Sequence, residues 1–134
     1  MTSLIDIEGI GPAFAGKLRD AGVRSTNALL ERGGTAKGRK ELASATGIDE
    51  SKLLEWVNHA DLFRVRGIGS EYADLLEEAG VDTVKELGQR KPESLYETLV
   101  KANETKKLVR KLPTSDQVKD WVKQAKALPR AVQY

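Results

Sequence analysis

Residues 65–76 read VRGIGSEYADLL, and this stretch decides the fold. It contains Gly67-Ile68-Gly69, in which the glycines permit backbone angles that side chains forbid. We expect Ile68 to fill the core, while the helix that follows presents unpaired amides and the positive end of its dipole outward. Such a turn suits a phosphate, a carboxylate or water. The stretch therefore predicts a helical hairpin and leaves its ligand open.

The same pattern occurs earlier in the chain. Residues 4–29 align without a gap with residues 62–87, at an offset of 58. Matched positions at the turns and helix ends are Ile7 and Val65, Gly9 and Gly67, Gly11 and Gly69, Gly22 and Gly80, and Leu29 and Leu87. A fainter match pairs Trp56 with Trp121 at an offset of 65, so the second copy holds about seven more residues. The chain is a tandem duplication with an insertion in its second copy.

Helix signals dominate both copies, and strand signals are nearly absent. Gly22 and Gly80 each follow an apolar helical pattern and precede a valine, which is typical of a Schellman helix end. Thr114 begins a capping-box pattern. We predict an all-α fold of eight or nine short helices in two units, residues 1–61 and residues 62–134. We expect the units to share one core, because a unit of about 60 residues alone is marginally stable.

Composition narrows the class of function. The 134 residues contain no cysteine, which excludes disulfides and zinc–thiolate sites. No apolar run approaches the roughly 20 residues of a membrane span, and the N-terminus has no secretory pattern. We therefore expect a cytoplasmic protein of bacterial type that binds no membrane.

Catalytic and metal-binding patterns are missing from the sequence. The single histidine, His59, has no partner at catalytic spacing, and we expect it at a surface or a helix end. No cluster has the spacing of metal ligands. The recurring aromatic pairs, Phe14 with Tyr72 and Trp56 with Trp121, are interpreted as core rather than as a ligand site. We expect neither an enzyme nor a cofactor nor a small-molecule substrate.

The glycine turns carry a resemblance to a known motif. IEGIGPAFAGKL and VRGIGSEYADLL resemble helix-hairpin-helix motifs, with the pattern apolar-x-Gly-apolar-Gly-x-x-x-Ala-x-x-Leu. Nearly the whole chain resembles a bacterial family of small tandem helix-hairpin-helix proteins, a domain of unknown function. Proteins with these motifs commonly bind the backbone of DNA or RNA without sequence preference. The resemblance implies such contacts at Gly9, Ile10 and Gly11 in the first turn, and at Gly67 and Gly69 in the second.

Residues that differ between the copies favour the first turn. Lys17 lies one helical turn beyond it, and Lys37, Arg39 and Lys40 crowd a glycine-containing loop that the second copy lacks. The second turn is followed by Glu71, which would repel a phosphate, so we expect the second turn to be structural.

Two hypotheses follow. The first is a sequence-nonspecific nucleic-acid binder that uses the first turn, Lys17 and the basic loop. The second is a protein-interaction or scaffold module whose hairpins are only structural. Residues 101–134 contain 9 Lys/Arg and 3 Asp/Glu, and their inserted basic segment KANETKKLVRKLP is a further candidate contact. The spacing of Leu108 and Leu112 indicates that this segment packs inward. We favour nucleic-acid binding.

Overall fold

Helices make up the regular structure of the protein, for which a computed structural model describes residues 3–133. Those residues form one 3₁₀-helix and eight α-helices, and they contain no strand. The prediction of an all-α fold with eight or nine short helices is therefore confirmed.

The chain divides into two compact units. Within the described residues, unit 1 comprises 3–61 together with 131–133, and unit 2 comprises 62–130. Residues 131–133 belong to unit 1, although they follow unit 2 along the chain. A core shared by the two units stays a prediction.

Unit 1 is built from the 3₁₀-helix and the first four α-helices. Their bounds are Leu4–Asp6 for the 3₁₀-helix, then α1 Pro12–Asp20, α2 Thr26–Gly33, α3 Ala36–Thr46 and α4 Glu50–Leu62, of which only Leu62 falls in unit 2. Helix α3 packs against α1 and α2, and the 3₁₀-helix packs against α1. Apolar side chains at helical spacing, among them Leu18, Leu42 and Leu53, are fully buried in this unit.

Unit 2 is built from four α-helices around its own core. They are α5 Ser70–Glu78, α6 Val84–Gly88, α7 Pro92–Lys106 and α8 Ser115–Ala127. Helix α8 packs against α6 and α7, and α7 also packs against α5. Trp121 on α8 is 2% exposed and belongs to the core together with Leu76 and Leu99.

The two glycine turns have the same backbone geometry. Gly9 has φ +95° and Gly67 has φ +98°, values that L side chains rarely adopt. Ile10 and Ile68 are 4% and 5% exposed, which confirms that the apolar residue of each turn fills the core. Gly11 begins α1 as its N-cap.

The helix ends repeat as well. After α1 the amide of Val23 donates to the carbonyl of Leu18 at 2.8 Å, and after α5 the amide of Val81 donates to that of Leu76 at 2.8 Å. This i to i−5 bond, with a positive-φ glycine before the valine, is the Schellman motif that the sequence predicts. The capping box at Thr114 is confirmed too.

The inserted segment of the second copy lies along the core of unit 2. Helix α7 ends at Lys106, and the residues up to Thr114 are irregular. The side chain of Asn103 holds this stretch through two bonds to the backbone of Val109, at 3.0 and 3.2 Å. Leu108 and Leu112 pack against the core, as the sequence predicts, although the segment that carries them is not helical.

Replacing Gly67 by alanine is expected to destabilise the protein by about 1–3 kcal/mol, because its backbone conformation strains a side chain. The new Cβ would also lie 2.9 Å from Nε1 of the buried Trp121, closer than real Cβ contacts. Gly69→Ala is the matched control, since Gly69 has ordinary angles and nothing lies within 4 Å of its Cβ position. This control is expected to lower the free energy of unfolding by about 0.5 kcal/mol, because glycine is preferred over alanine at an N-cap. Urea unfolding followed by tryptophan fluorescence measures both, and equal losses would contradict the prediction.

Candidate nucleic-acid interface

The first turn, Gly9–Gly11, lies at the surface of unit 1. Gly9 and Gly11 are exposed, while Ile10 between them is buried. No side chain caps α1, and Pro12 at its first position has no amide hydrogen. The amides of the next two residues have no partner within the helix and lie at the positive end of its dipole. The turn thus offers backbone donors to an anion.

Trp56 of α4 packs against this turn from the core side. A Cβ on Gly9 would lie 3.2 Å from its indole Nε1, so the glycine allows the backbone to pass directly over the ring. The Phe14 ring packs on the same indole, with centroids 5.2 Å apart and planes tilted by 58°. Trp56 is 2% exposed, so turn and ring rest on a fixed support.

Two lysines meet over Phe14. The ammonium group of Lys17 on α1 lies 5.8 Å from the ring centroid, and that of Lys52 on α4 lies 5.4 Å from it. Both distances fall within the range of cation–π attraction. Both lysines are exposed. This lysine pair, Lys17 and Lys52, places two positive charges over Phe14, in the first turn of the helix that follows the glycines.

The second copy keeps the ring packing and lacks the charges. Tyr72 packs on Trp121 with centroids 5.2 Å apart, and its hydroxyl donates to the carbonyl of Lys111 at 3.0 Å. The position equivalent to Lys17 is the buried Leu75, and the position equivalent to Lys52 is Gln117, which serves in the capping box of α8. Within residues 3–133 no cation lies over the Tyr72 ring. Gly67 and Gly69 are exposed, and the exposed residue that follows them closely is the acidic Glu71.

The other predicted contact residues of the first copy differ in their exposure. Lys37, Arg39 and Lys40 lie in the first turns of α3, not in a loop, because the helix begins at Ala36. Lys37 and Lys40 are exposed on that helix. Arg39 is only 5% exposed, and its guanidinium donates to two backbone carbonyls of unit 1. Its charge is therefore used inside the fold.

Two other residues have positions that the sequence specifies incompletely. His59 lies in the last turn of α4, as expected for a helix end, and it is only 3% exposed. Lys52 belongs to the site and was not singled out from the sequence. The signal that points to it is its place four residues before Trp56, on the same face of one helix.

Comparison with models of protein families identifies the family of the chain. A model of a domain of unknown function, DUF4332, matches residues 8–128. The chain belongs to the DUF4332 family. The match covers the first turn, the lysine pair and all of the repeat except residues 4–7 in this DUF4332 protein. It confirms the resemblance to a family of unknown function.

Other comparisons add nothing on function. No curated protein and no solved structure matches the chain. Among the residues that the structure describes, none of the helices combines the length and apolarity needed to cross a membrane.

Proposed function

We propose that this DUF4332 protein is a non-catalytic binder of nucleic acids that contacts the phosphate backbone without reading the base sequence. We place it in the bacterial cytoplasm, with DNA or RNA as its partner. The first turn and the lysine pair of unit 1 form the contact. The observation that carries this proposal is the meeting of Lys17 and Lys52 over Phe14, beside exposed backbone donors.

The difference between the copies supports a ligand rather than a folding role. Architecture explains features that both copies share, such as the positive-φ glycine and the ring stacked on tryptophan. It does not require two lysines at one ring, because the second copy folds with Leu75 and Gln117 in their places. A lysine ammonium is a compact point charge, suited to a phosphate oxygen.

The chemistry of the site favours the backbone over the bases. Phe14 is half-buried, packed on Trp56 and approached by two lysines, so it offers little free face for a base. Backbone amides and ammonium groups recognise phosphates in any sequence. The resemblance of the turn to helix-hairpin-helix motifs points to the same mode.

A protein-interaction module is the second candidate, and the second turn favours it. Glu71 is exposed in the first turn of α5, and Glu78 is exposed at the end of that helix. The carboxylate of Glu71 would repel a phosphate, whereas that of Glu78 lies 4.0 Å from the ammonium group of Lys106. On this alternative, the glycine turns serve only the fold and a protein docks elsewhere.

Fluorescence anisotropy with short labelled single- and double-stranded DNA and RNA tests the proposal. We expect micromolar binding at about 50 mM salt that weakens steeply by about 200 mM, and that is similar for unrelated sequences. Failure to bind at the lower salt, where charges are least screened, would overturn it. A strong preference for one sequence would contradict backbone recognition.

A further inference from the structure

A groove opens on unit 2, between α6 and the C-terminal end of α8. Its volume is about 390 Å³. Seven residues line it, and none of them is acidic: Lys85, Gly88, Gln89, Ala125, Lys126, Leu128 and Arg130. They come from one unit, and none of them belongs to the first turn or the lysine pair. The groove is therefore a feature separate from the nucleic-acid proposal.

The floor of this α6–α8 groove is apolar and fixed. Gly88 ends α6 against the backbone of α8, where a Cβ would lie 3.3 Å from the nitrogen of Lys126 and 3.4 Å from the carbonyl carbon of Ala125. Ala125 is 4% exposed, and Leu128 is half-buried against the core. The glycine therefore lets the two helices approach closely at the floor of the groove, beside the half-buried Leu128.

The rim of the groove is cationic. Lys85 and Lys126 are exposed on α6 and α8, and Arg130 follows α8. The guanidinium of Arg64 donates to the carbonyl of Pro129 at 2.7 Å, which fixes the segment that forms this wall. Lys126, in the last turn of α8, offsets the dipole of that helix, whereas Lys85 is the second residue of α6 and has no such role.

We propose that the α6–α8 groove binds an acidic peptide segment of a partner protein, with an apolar side chain on the floor and carboxylates paired with the rim. The charge of the rim calls for an anion, and the apolar floor calls for a side chain that a phosphate backbone lacks. None of the lining residues is aromatic, so bases have no ring on which to stack. In such a segment a leucine contacts the floor, and the carboxylates on either side of it pair with the rim.

The first test uses a fluorescein-labelled peptide in which two aspartates stand on each side of one leucine, added to the intact protein. We expect Lys85→Glu with Lys126→Glu to weaken its binding by about tenfold or more, because the rim then repels the peptide. The matched control is Lys101→Glu with Lys119→Glu, which makes the same change in net charge on exposed positions of α7 and α8. The control is expected to weaken binding by less than about threefold. Equal losses in the two variants would overturn the proposal.

The second test removes the apolar side chain from the probe. A peptide with glycine in place of the leucine is expected to bind about tenfold more weakly, because the floor loses its apolar contact. In the unmodified protein, amide NMR shifts caused by the leucine peptide are expected at residues 85–89 and 125–130. Equal affinity for both peptides, or shifts confined to other residues, would overturn the proposal.

The third test distinguishes other occupants. Short poly-dT is expected not to displace the peptide, and the protein is expected to show the same mass in sedimentation with and without the Lys85→Glu and Lys126→Glu changes. Displacement by poly-dT with shifts at the same amides would assign the groove to nucleic acid. A dimer that these changes abolish would assign it to a second copy of the chain. Either result would overturn the proposal.

Discussion

Replacing Lys17 and Lys52 together by glutamine is expected to lower the affinity for short duplex DNA by about tenfold to a hundredfold at 50 mM salt. The two ammonium groups lie 5.8 and 5.4 Å from one ring centroid, so we expect neighbouring phosphates of one backbone to contact both. Each phosphate contact that is lost lowers the salt dependence of binding. The slope of log affinity against log salt is expected to fall by about 1.8, at 0.9 for each phosphate. Anisotropy titrations at several salt concentrations measure both quantities.

The control for this prediction removes two positive charges from the other unit. Lys119 and Lys123 are exposed on α8, and their change to glutamine leaves the same net charge as the double variant of the lysine pair. We expect this control to change the affinity by less than about threefold, through long-range attraction alone. If both variants lose affinity equally, the protein attracts DNA through net charge and the first turn is not the contact.

The exchange of Lys37 and Lys40 to glutamine separates the lysine pair from the rest of the basic surface of unit 1. These lysines are exposed on α3, whereas the lysine pair is gathered over Phe14 from α1 and α4. We expect a smaller loss of affinity than for the lysine pair, because they are not placed beside the turn amides by a common support. A larger loss would move the proposed contact to α3.

The turns and helix ends could be predicted from the sequence because they are local. A glycine at positive φ followed by a buried apolar residue constrains only a few neighbouring residues, and the repeat showed each pattern twice. The burial of Trp56 and Trp121 could be predicted for a related reason, since the two residues match in the repeat. A duplicated sequence supplies its own comparison.

Only one member of the lysine pair, Lys17, could be identified from the sequence. Lys17 follows the first turn closely, but Lys52 lies 35 residues further along and reaches the ring only because α4 carries it there. Helical periodicity places Lys52 on the same face as Trp56, without saying which helix that face meets. Contacts between helices depend on packing, which local patterns do not specify.

The glycines near Arg39 do not form the flexible loop that the sequence predicts. A side chain at Gly33 would lie 2.6 Å from a methyl group of Val57, and one at Gly34 would lie 2.7 Å from the carbonyl of Ala131. Gly38 meets the carbonyl of Arg32 in the same way. These glycines make room for neighbouring backbone and side chains instead of giving flexibility, and α3 begins among them.

Replacing Arg39 by lysine is expected to destabilise unit 1 by about 2–3 kcal/mol, although the charge is kept. The two arms of the guanidinium donate to the carbonyl of Gly33 at 2.8 Å and to that of Gln133 at 2.7 Å. A lysine has a single ammonium group and does not reproduce this fork. One buried carbonyl then loses its charged donor, while the amide of Gln133 still donates to the carbonyl of Gly34. Urea unfolding followed by tryptophan fluorescence measures the loss.

Lys40→Arg is the matched control, because it is the reciprocal exchange on the same helix at an exposed position. It is expected to change the free energy of unfolding by less than about 0.5 kcal/mol. Deleting residues 131–134 is expected to destabilise the protein more than Arg39→Lys, since it also removes the buried side chain of Val132, 2% exposed. Measured below its unfolding transition, Arg39→Lys is expected to bind DNA as tightly as the parent protein. The opposite result, with stability unchanged and DNA affinity lost, would return Arg39 to the surface as a phosphate contact and would contradict its role in anchoring the end of the chain.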